Sequence, residues 1–309
     1  MINTELIDYF QRLPEKIIAT VHRDPDYDAI GSLLAMGVLV NALGKDITLY
    51  SPDINLKQFK QLPGVKKIQK TPKSEYDLGI FLDCSDKNRI ANPTDFPDVK
   101  KIMNIDHHQD NTQFGDINLV LNTSSVGEIL FNLYKALNVE ITQDVGINLY
   151  AAICFDTGNF RFSNTTPDTF LVAADLLKRD INISKISEWI FEEKPVTYFE
   201  DVKQGLNNMY IDPNYPLLIV YIPYHANISR ESTVNFFRQL ENVELVIVCK
   251  EVQKNDYRIN FRSKQYINVA EIAKEFNGGG HVRASGATCQ TTFSTLKKKM
   301  VFVARKAFQ

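Results

Sequence analysis

The chain is short of the residues that small domains use as staples. Its 309 residues include four cysteines, five histidines and one tryptophan. Cys84, Cys154, Cys249 and Cys289 form no C-x-x-C pair and no secretory framework, which argues against structural zinc and a disulfide scaffold and suits a reducing compartment. No apolar run reaches the ~18 residues of a membrane span. The N-terminal MINTELIDYFQRLPEK carries acids where a signal peptide needs a basic region. Positive charge is not in excess either: the net charge is −2 and the isoelectric point ≈ 6.2, so no overall field exists to hold a long duplex by its phosphates. These absences predict a cytoplasmic protein with no membrane segment and no duplex nucleic-acid partner.

What is present reads as a folded α/β protein. A hydrophobic fraction of 44% and a charged fraction of 23% are those of an ordinary globular chain, and the length exceeds what one core usually serves, so two domains are expected. IIATVH (17–22), DITLYS (46–51), LGIFLD (78–83) and KIMNID (101–106) are near-continuous apolar runs, as strands buried on both faces should be. Helical patterns alternate with them or follow them, at 31–44, 125–138, 143–155 and 165–179, the last with Thr166 as N-cap and Pro167 at the first helical position. This alternation predicts βαβ units and a parallel sheet. A polar helical stretch from about Ile183 to Tyr210 reads as a connector. A second α/β set follows, with strands at 217–223, 243–251 and 257–263, helices near 229–240 and 267–277, then GGGH, a strand and an amphipathic helix to Phe308.

The chemistry gathers where apolar elements end. The first strand runs into HRDPDYDAIGS (22–32), bringing His22, Asp26 and Asp28 to the carboxyl edge where open α/β sheets bind ligands. LGIFLD ends in Asp83, KIMNID ends in Asp106 followed by His107 and His108, and a helix ends at Asp156 of FDTGNF. One aspartate after a strand is usually a turn or cap residue, and Asp24 and Asp86 are read that way. Several carboxylates converging on one rim repel one another unless cations neutralise them. Carboxylates with imidazole suit Mn²⁺ or Mg²⁺. The pattern therefore predicts a two-metal hydrolytic centre, and two cations ~3.5–4 Å apart suit in-line displacement at phosphorus. On a strand, adjacent side chains diverge, so His107 and His108 are expected to serve separate roles.

HRDPDYDAIGS, the Asp83 strand end, IDHH and FDTGNF, in that order, resemble the four motifs of the DHH phosphoesterase superfamily, and FNGGGHVRASGA resembles the glycine-rich signature of the DHH-associated domain. The resemblance covers nearly the whole chain. It implies a parallel-sheet DHH catalytic domain over 1–185, a helical connector over 186–212 and a smaller α/β DHH-associated, substrate-binding domain over 213–309. It implies that His22 and Asp26 hold one metal, that Asp28 helps hold the other, that Asp83 bridges them and that His107 and Asp156 complete the ligand set of the second metal. Asp106 would orient its neighbours, as metal-ligating histidines generally require, and His108 would contact the phosphate. The implied metal is Mn²⁺, two per site, with Mg²⁺ as the alternative.

GGGHVRASG (278–286) follows a helix, so one or two of its glycines are explained as a cap and turn. The third suggests backbone N–H groups left open to an anion, beside His281 and Arg283. Arg262 and Ser263 of NFRS end a strand, and Arg has the fork geometry for phosphate. The expected substrate-binding set is Arg262, Ser263, Gly278, Gly279, Gly280, His281 and Arg283. Tyr27, Phe160, Arg161 and Phe162 flank ligand positions, where packing is an equal reading.

The short two-domain form resembles the bacterial group that degrades very short oligoribonucleotides to mononucleotides and removes the 3′-phosphate from 3′-phosphoadenosine-5′-phosphate. The expected partner is thus a short single strand or a nucleotide held in a cleft between domains, and the resemblance carries a homodimer. A phosphodiesterase of linear or cyclic di-adenosine nucleotides and a non-catalytic nucleotide-binding protein stand as alternatives. GGGH and FRS count against a family-II pyrophosphatase.

Overall fold

The computed structural model describes residues 2–72, 75–225, 228–229 and 232–309. The chain forms two compact units, Met1–Glu193 and Lys194–Gln309. The division falls inside the stretch 186–212 expected as a connector, which is helical on both sides of it and ends in a strand.

The first unit runs α1 (Thr4–Gln11), β1 (Ile17–Val21), α2 (Tyr27–Ala42), β2 (Ile47–Tyr50), β3 (Tyr76–Leu82), β4 (Val99–Asp106), β5 (Ile117–Val120), α3 (Val126–Ala136), α4 (Gln143–Asp156), α5 (Pro167–Leu177) and α6 (Ile183–Ser187), closed by a π-helical turn over Glu188–Glu192. All five strands are parallel, in the order β2-β1-β3-β4-β5. The chain leaves β1 for β2 on one side and returns to β3 on the other, so β1 and β3 flank the switch point where such sheets place their ligands. β1 is buried throughout, and β4 is buried over its last four residues, Asn104 and Asp106 included.

Helix α2 is apolar nearly all round and buried accordingly. Asp26 caps it, its Oδ1 accepting from the N–H groups of Asp28 at 3.0 Å and Ala29 at 3.1 Å. Thr166 caps α5 with Pro167 behind it, as expected. Two glycines let the helices close over the sheet. A Cβ on Gly31 would lie 2.4 Å from the Asn148 carbonyl oxygen, and one on Gly127 would lie 2.6 Å from Ala152 Cβ, so α2 and α3 reach α4 only because those side chains are missing.

The second unit runs α7 (Val196–Asn207), β6 (Met209–Ile211), β7 (Leu217–Ile222), α8 (Val234–Phe237), β8 (Leu245–Gln253), β9 (Asp256–Ser263), α9 (Val269–Lys274), β10 (Gly279–His281), β11 (Ala284–Gln290) and α10 (Phe293–Lys306). Its six-stranded sheet has the order β10-β11-β9-β8-β7-β6 and is mixed, with only β7 and β8 parallel. One face packs on α9 and α10 through Tyr257, Ile259 and Phe261; the other is filled over β7 and β8 by Val234 and Phe237 of α8. Over β9 that second face carries Arg258, Asn260 and Arg262, each half-buried. The helix expected near 229–240 is helical over Val234–Phe237, and Arg230 and Glu231 of that stretch lie outside the described residues. Short α1, β5 and β6 had no counterpart in the expected elements. Among the described residues no helix is long and apolar enough to cross a membrane.

Candidate active site

Among the described residues, ligand-type atoms gather at the carboxyl edge of the first sheet: His22, Asp26 and Asp83; Asp28, His107 and Asp156; and Asp83, Asp106 and His108, each set with its atoms within 4.8 Å of one another. Asp83 belongs to two of them. Its Oδ2 lies 3.4 Å from His22 Nε2, and its Oδ1 lies 3.5 Å from His107 Nε2 and 3.4 Å from His108 Nδ1. Asp83 also sits at φ +56°, a left-handed conformation uncommon for aspartate, which turns its carboxylate out of the sheet edge.

Asp28 is fully buried in the first turn of α2. It accepts from the N–H groups of Val126 at 2.8 Å and Gly127 at 3.0 Å, the open donors of the α3 N-terminus, and from Ser32 Oγ at 3.1 Å. His107 Nε2 is 3.1 Å from Asp156 Oδ2 and 3.7 Å from Asp28 Oδ2, and its Nδ1 lies 3.3 Å from the Thr123 carbonyl oxygen. Asp156 ends α4, and the next turn is built from Gly158, Asn159 and Phe160, all at positive φ. Asn164 Nδ2 bonds the Ser124 and Asp156 carbonyls, tying that turn to the one below His107.

β4 ends at Asp106, so strict alternation does not extend to the two histidines. Their rings stand edge to face with centroids 4.9 Å apart, rather than diverging as expected, and both approach Asp83 Oδ1. They are told apart by their partners: His108 Nδ1 meets Asp106 Oδ1 at 2.8 Å, whereas His107 faces Asp156 and Asp28.

So many buried charges shift one another's protonation. Burial would push the His22 imidazole down, but Asp83 and Asp26 hold it up at about 10. Burial, then the Asp83 charge, raises Asp26 to about 6. Asp28 is raised by burial and by Asp83 and Asp156 despite the helix amides it meets. Against its own burial, Asp83 is held well below the usual carboxylate range by His107 and His22, and Asp106 is lowered by His108. Five carboxylates face three imidazoles here, and Asp83 Oδ1 is buried with no hydrogen-bond partner among the described residues. Hard oxygen donors with imidazole, a buried carboxylate oxygen without a hydrogen bond and an excess of carboxylates over imidazoles fit divalent cations.

In the second unit, register decides which expected substrate residues stand together. Arg262 pairs with Ala284, which pairs with His281, so the three share one face in a single cross-strand row with the small alanine between the two long side chains. The neighbouring row is Asn260, Gly286 and Gly279 on that same face, and a Cβ on Gly286 would meet nothing nearer than 3.5 Å. Asn260 was not among the expected residues. Two others, Ser263 and Gly278, are corrected. Ser263, one residue beyond Arg262, points to the opposite face, is fully buried and donates to the Ile267 carbonyl at 2.6 Å. Arg283 Nη1 donates to that same carbonyl at 2.6 Å. Gly278 N–H is not open to an anion, since it donates to Ala273 O at 2.9 Å and closes α9, and a Cβ there would lie 2.2 Å from Gly286 O. Gly280 takes φ +136° to keep β10 against β11.

Of the flanking residues, Tyr27 and Phe160 pack, whereas Arg161 is exposed. Tyr27 is 4% exposed, with its hydroxyl on Gln58 O and its ring against Phe59; Phe160 stacks on Phe170; Arg161 Nε donates to Gly158 O.

A model of the DHH family, N-terminal domain, matches residues 16–153, and a DHHA1 domain model matches residues 214–305. A protein of Thermus thermophilus named bifunctional oligoribonuclease and PAP phosphatase NrnA is 29% identical over 277 residues, 88% of this chain and 83% of the relative. An exopolyphosphatase-related protein from Bacteroides fragilis superposes with a TM-score of 0.83 at 23% identity, covering 99% of this chain and 96% of the other. RecJ of Thermus thermophilus, solved in complex with Mn²⁺, gives 0.55 at 14% identity, covering 97% of this chain and 54% of the other.

Proposed function

The chain carries a DHH family N-terminal domain followed by a DHHA1 domain, and from that premise we propose that it is a metal-dependent phosphoesterase that hydrolyses very short oligoribonucleotides to mononucleotides and 3′-phosphoadenosine-5′-phosphate to AMP. The observation that carries the reading is Asp83, whose two oxygens face two separate ligand groups while one of them is buried without a hydrogen bond.

His22, Asp26 and Asp83 would hold one cation, and Asp28, Asp83, His107 and Asp156 the other. We take Mn²⁺ as the metal, with Mg²⁺ as the alternative, on the donor chemistry and on the Mn²⁺ complex of the fold relative. Such cations would supply charge stabilisation on phosphoryl oxygens and a nucleophile from water at neutral pH. The α3 N-terminus keeps Asp28 aimed at the site, and Asp106 keeps the His108 ring turned so that its other nitrogen is presented to a substrate phosphate.

Choice of substrate is assigned to Arg262 and His281 on their shared face, with Gly279 and Gly280 of the edge strand β10 beside them and Arg283 kept from the expected set; Ser263 and Gly278 leave it. The substrate is a short single strand or nucleotide. All four cysteines are free, as a reducing compartment keeps them, and we place the activity in the cytoplasm.

The test offers Mn²⁺-loaded protein a labelled diribonucleotide, 3′-phosphoadenosine-5′-phosphate, a linear di-adenosine nucleotide and pyrophosphate in parallel. Mononucleotide and AMP release is expected. Turnover of the di-adenosine nucleotide alone would move the chain to that substrate class.

A further inference from the structure

Two asparagines behind Asp106 have no role in the chemistry above. Asn104 lies on β4 two residues before Asp106, so both side chains leave the same face of the strand. It is fully buried, and its Nδ2 donates to Phe81 O at 3.3 Å and Cys84 O at 3.0 Å, spanning the strained turn that carries Asp83. Asn111 lies half-buried beyond the histidines. Its Nδ2 is 2.6 Å from Asp106 Oδ2, 2.8 Å from Asn104 Oδ1 and 3.2 Å from Cys84 O, while its Oδ1 accepts from Gln113 N–H at 2.6 Å. An amide nitrogen has two protons. The two short contacts take both, and Cys84 is the weaker third.

The result is a continuous chain, Asn104 to Asn111 to Asp106 to His108, whose far end grips the Asp83 turn. One oxygen of Asp106 is committed to His108, and the carboxylate can hold that ring still only if its other oxygen is fixed as well. Asn111 is the side chain that fixes it.

We propose that Asn111 is a positioning residue for His108, and that Asn104 ties the same network to the Asp83 turn. The proposal rests on the phosphoesterase reading. A purely structural role for Asn111 is the competing account, because its Oδ1 also holds the backbone at Gln113. Asn111→Asp separates the two: it keeps the size and the acceptor for Gln113 but removes both protons that reach Asp106 and Asn104.

Asn111→Ala and Asn111→Asp are each assayed on the diribonucleotide beside wild type, with Mn²⁺ affinity measured by calorimetry and folding by circular dichroism. Both variants should lose about 10–100-fold in kcat, the range for removing an outer partner of a metal site. KM and Mn²⁺ affinity should stay within about threefold of wild type, because His108 acts on the reacting phosphate rather than on uniform binding. An Asn111→Asp variant that matches an active wild type overturns the proposal. So does failure of both variants to fold, which would assign the asparagine to the stability of its turn. An inactive wild type overturns the parent reading and this proposal with it, and the wild-type control distinguishes that case.

Discussion

Asp83 is asked to do more than any other side chain of the first unit: it is buried, strained in backbone and shared between two ligand groups. Asp83→Ala should remove turnover by much more than the ~10–100-fold that an outer partner costs, while circular dichroism without added metal keeps the folded spectrum. Retained activity contradicts the bridging assignment. His22 yields a pH prediction. In the cation-free protein its imidazole keeps a proton up to about 10, since the carboxylates outweigh the burial that would push it down. A cation takes the neutral ring, so binding near neutral pH releases that proton, and apparent Mn²⁺ affinity should rise with pH by up to about tenfold per unit. Titrations at several pH values below 9 check this, and a flat profile sinks it. The placement of Ser263 follows from its position in the strand. Strand alternation, already applied to His107 and His108, forbids Arg262 and Ser263 from one face, and the burial of Ser263 follows from it. Ser263→Ala should therefore cost about 1 kcal/mol of stability and leave KM unchanged.

At the level of elements, the site depends on how closely α2, α3 and α4 approach. Gly127→Ala places a methyl 2.6 Å from Ala152 Cβ and strains the α3 N-terminus that holds Asp28. It should destabilise the protein by roughly 1–3 kcal/mol, the cost of overpacking a filled interface, and lower turnover with it. A denaturation midpoint equal to wild type counts against that packing role. The long apolar strands and the capped helices were legible because burial on both faces leaves continuous hydrophobic runs and because Thr166 and Pro167 mark a start. α1, β5 and β6 were not: each spans eight residues or fewer, too short for a period to stand out. The metal-type residues were legible because they stand at the ends of apolar runs: Asp83, Asp106 and Asp156 close one, and Asp26 and Asp28 stand where one begins. Asn104 and Asn111 were not, since neither differs in sequence from an ordinary strand or turn asparagine until its partners are known.

For the whole molecule, length and pattern indicated two α/β units, whereas the mixed order of the second sheet and the Arg262–Ala284–His281 row needed strand register, which composition does not carry. Arg262→Ala and His281→Ala should mainly raise KM or change which substrate is preferred, with kcat moving less, because side chains that bind ground and transition state alike set KM. Loss of folding in both would return them to structure. The central claim, a two-metal phosphoesterase for very short nucleic acid, meets its most direct test in one measurement: the full chain, loaded with Mn²⁺, incubated with a labelled diribonucleotide and 3′-phosphoadenosine-5′-phosphate. Release of mononucleotides and AMP, abolished by a chelator and restored by Mn²⁺, is the predicted result; both substrates left intact by the metal-loaded protein would contradict it.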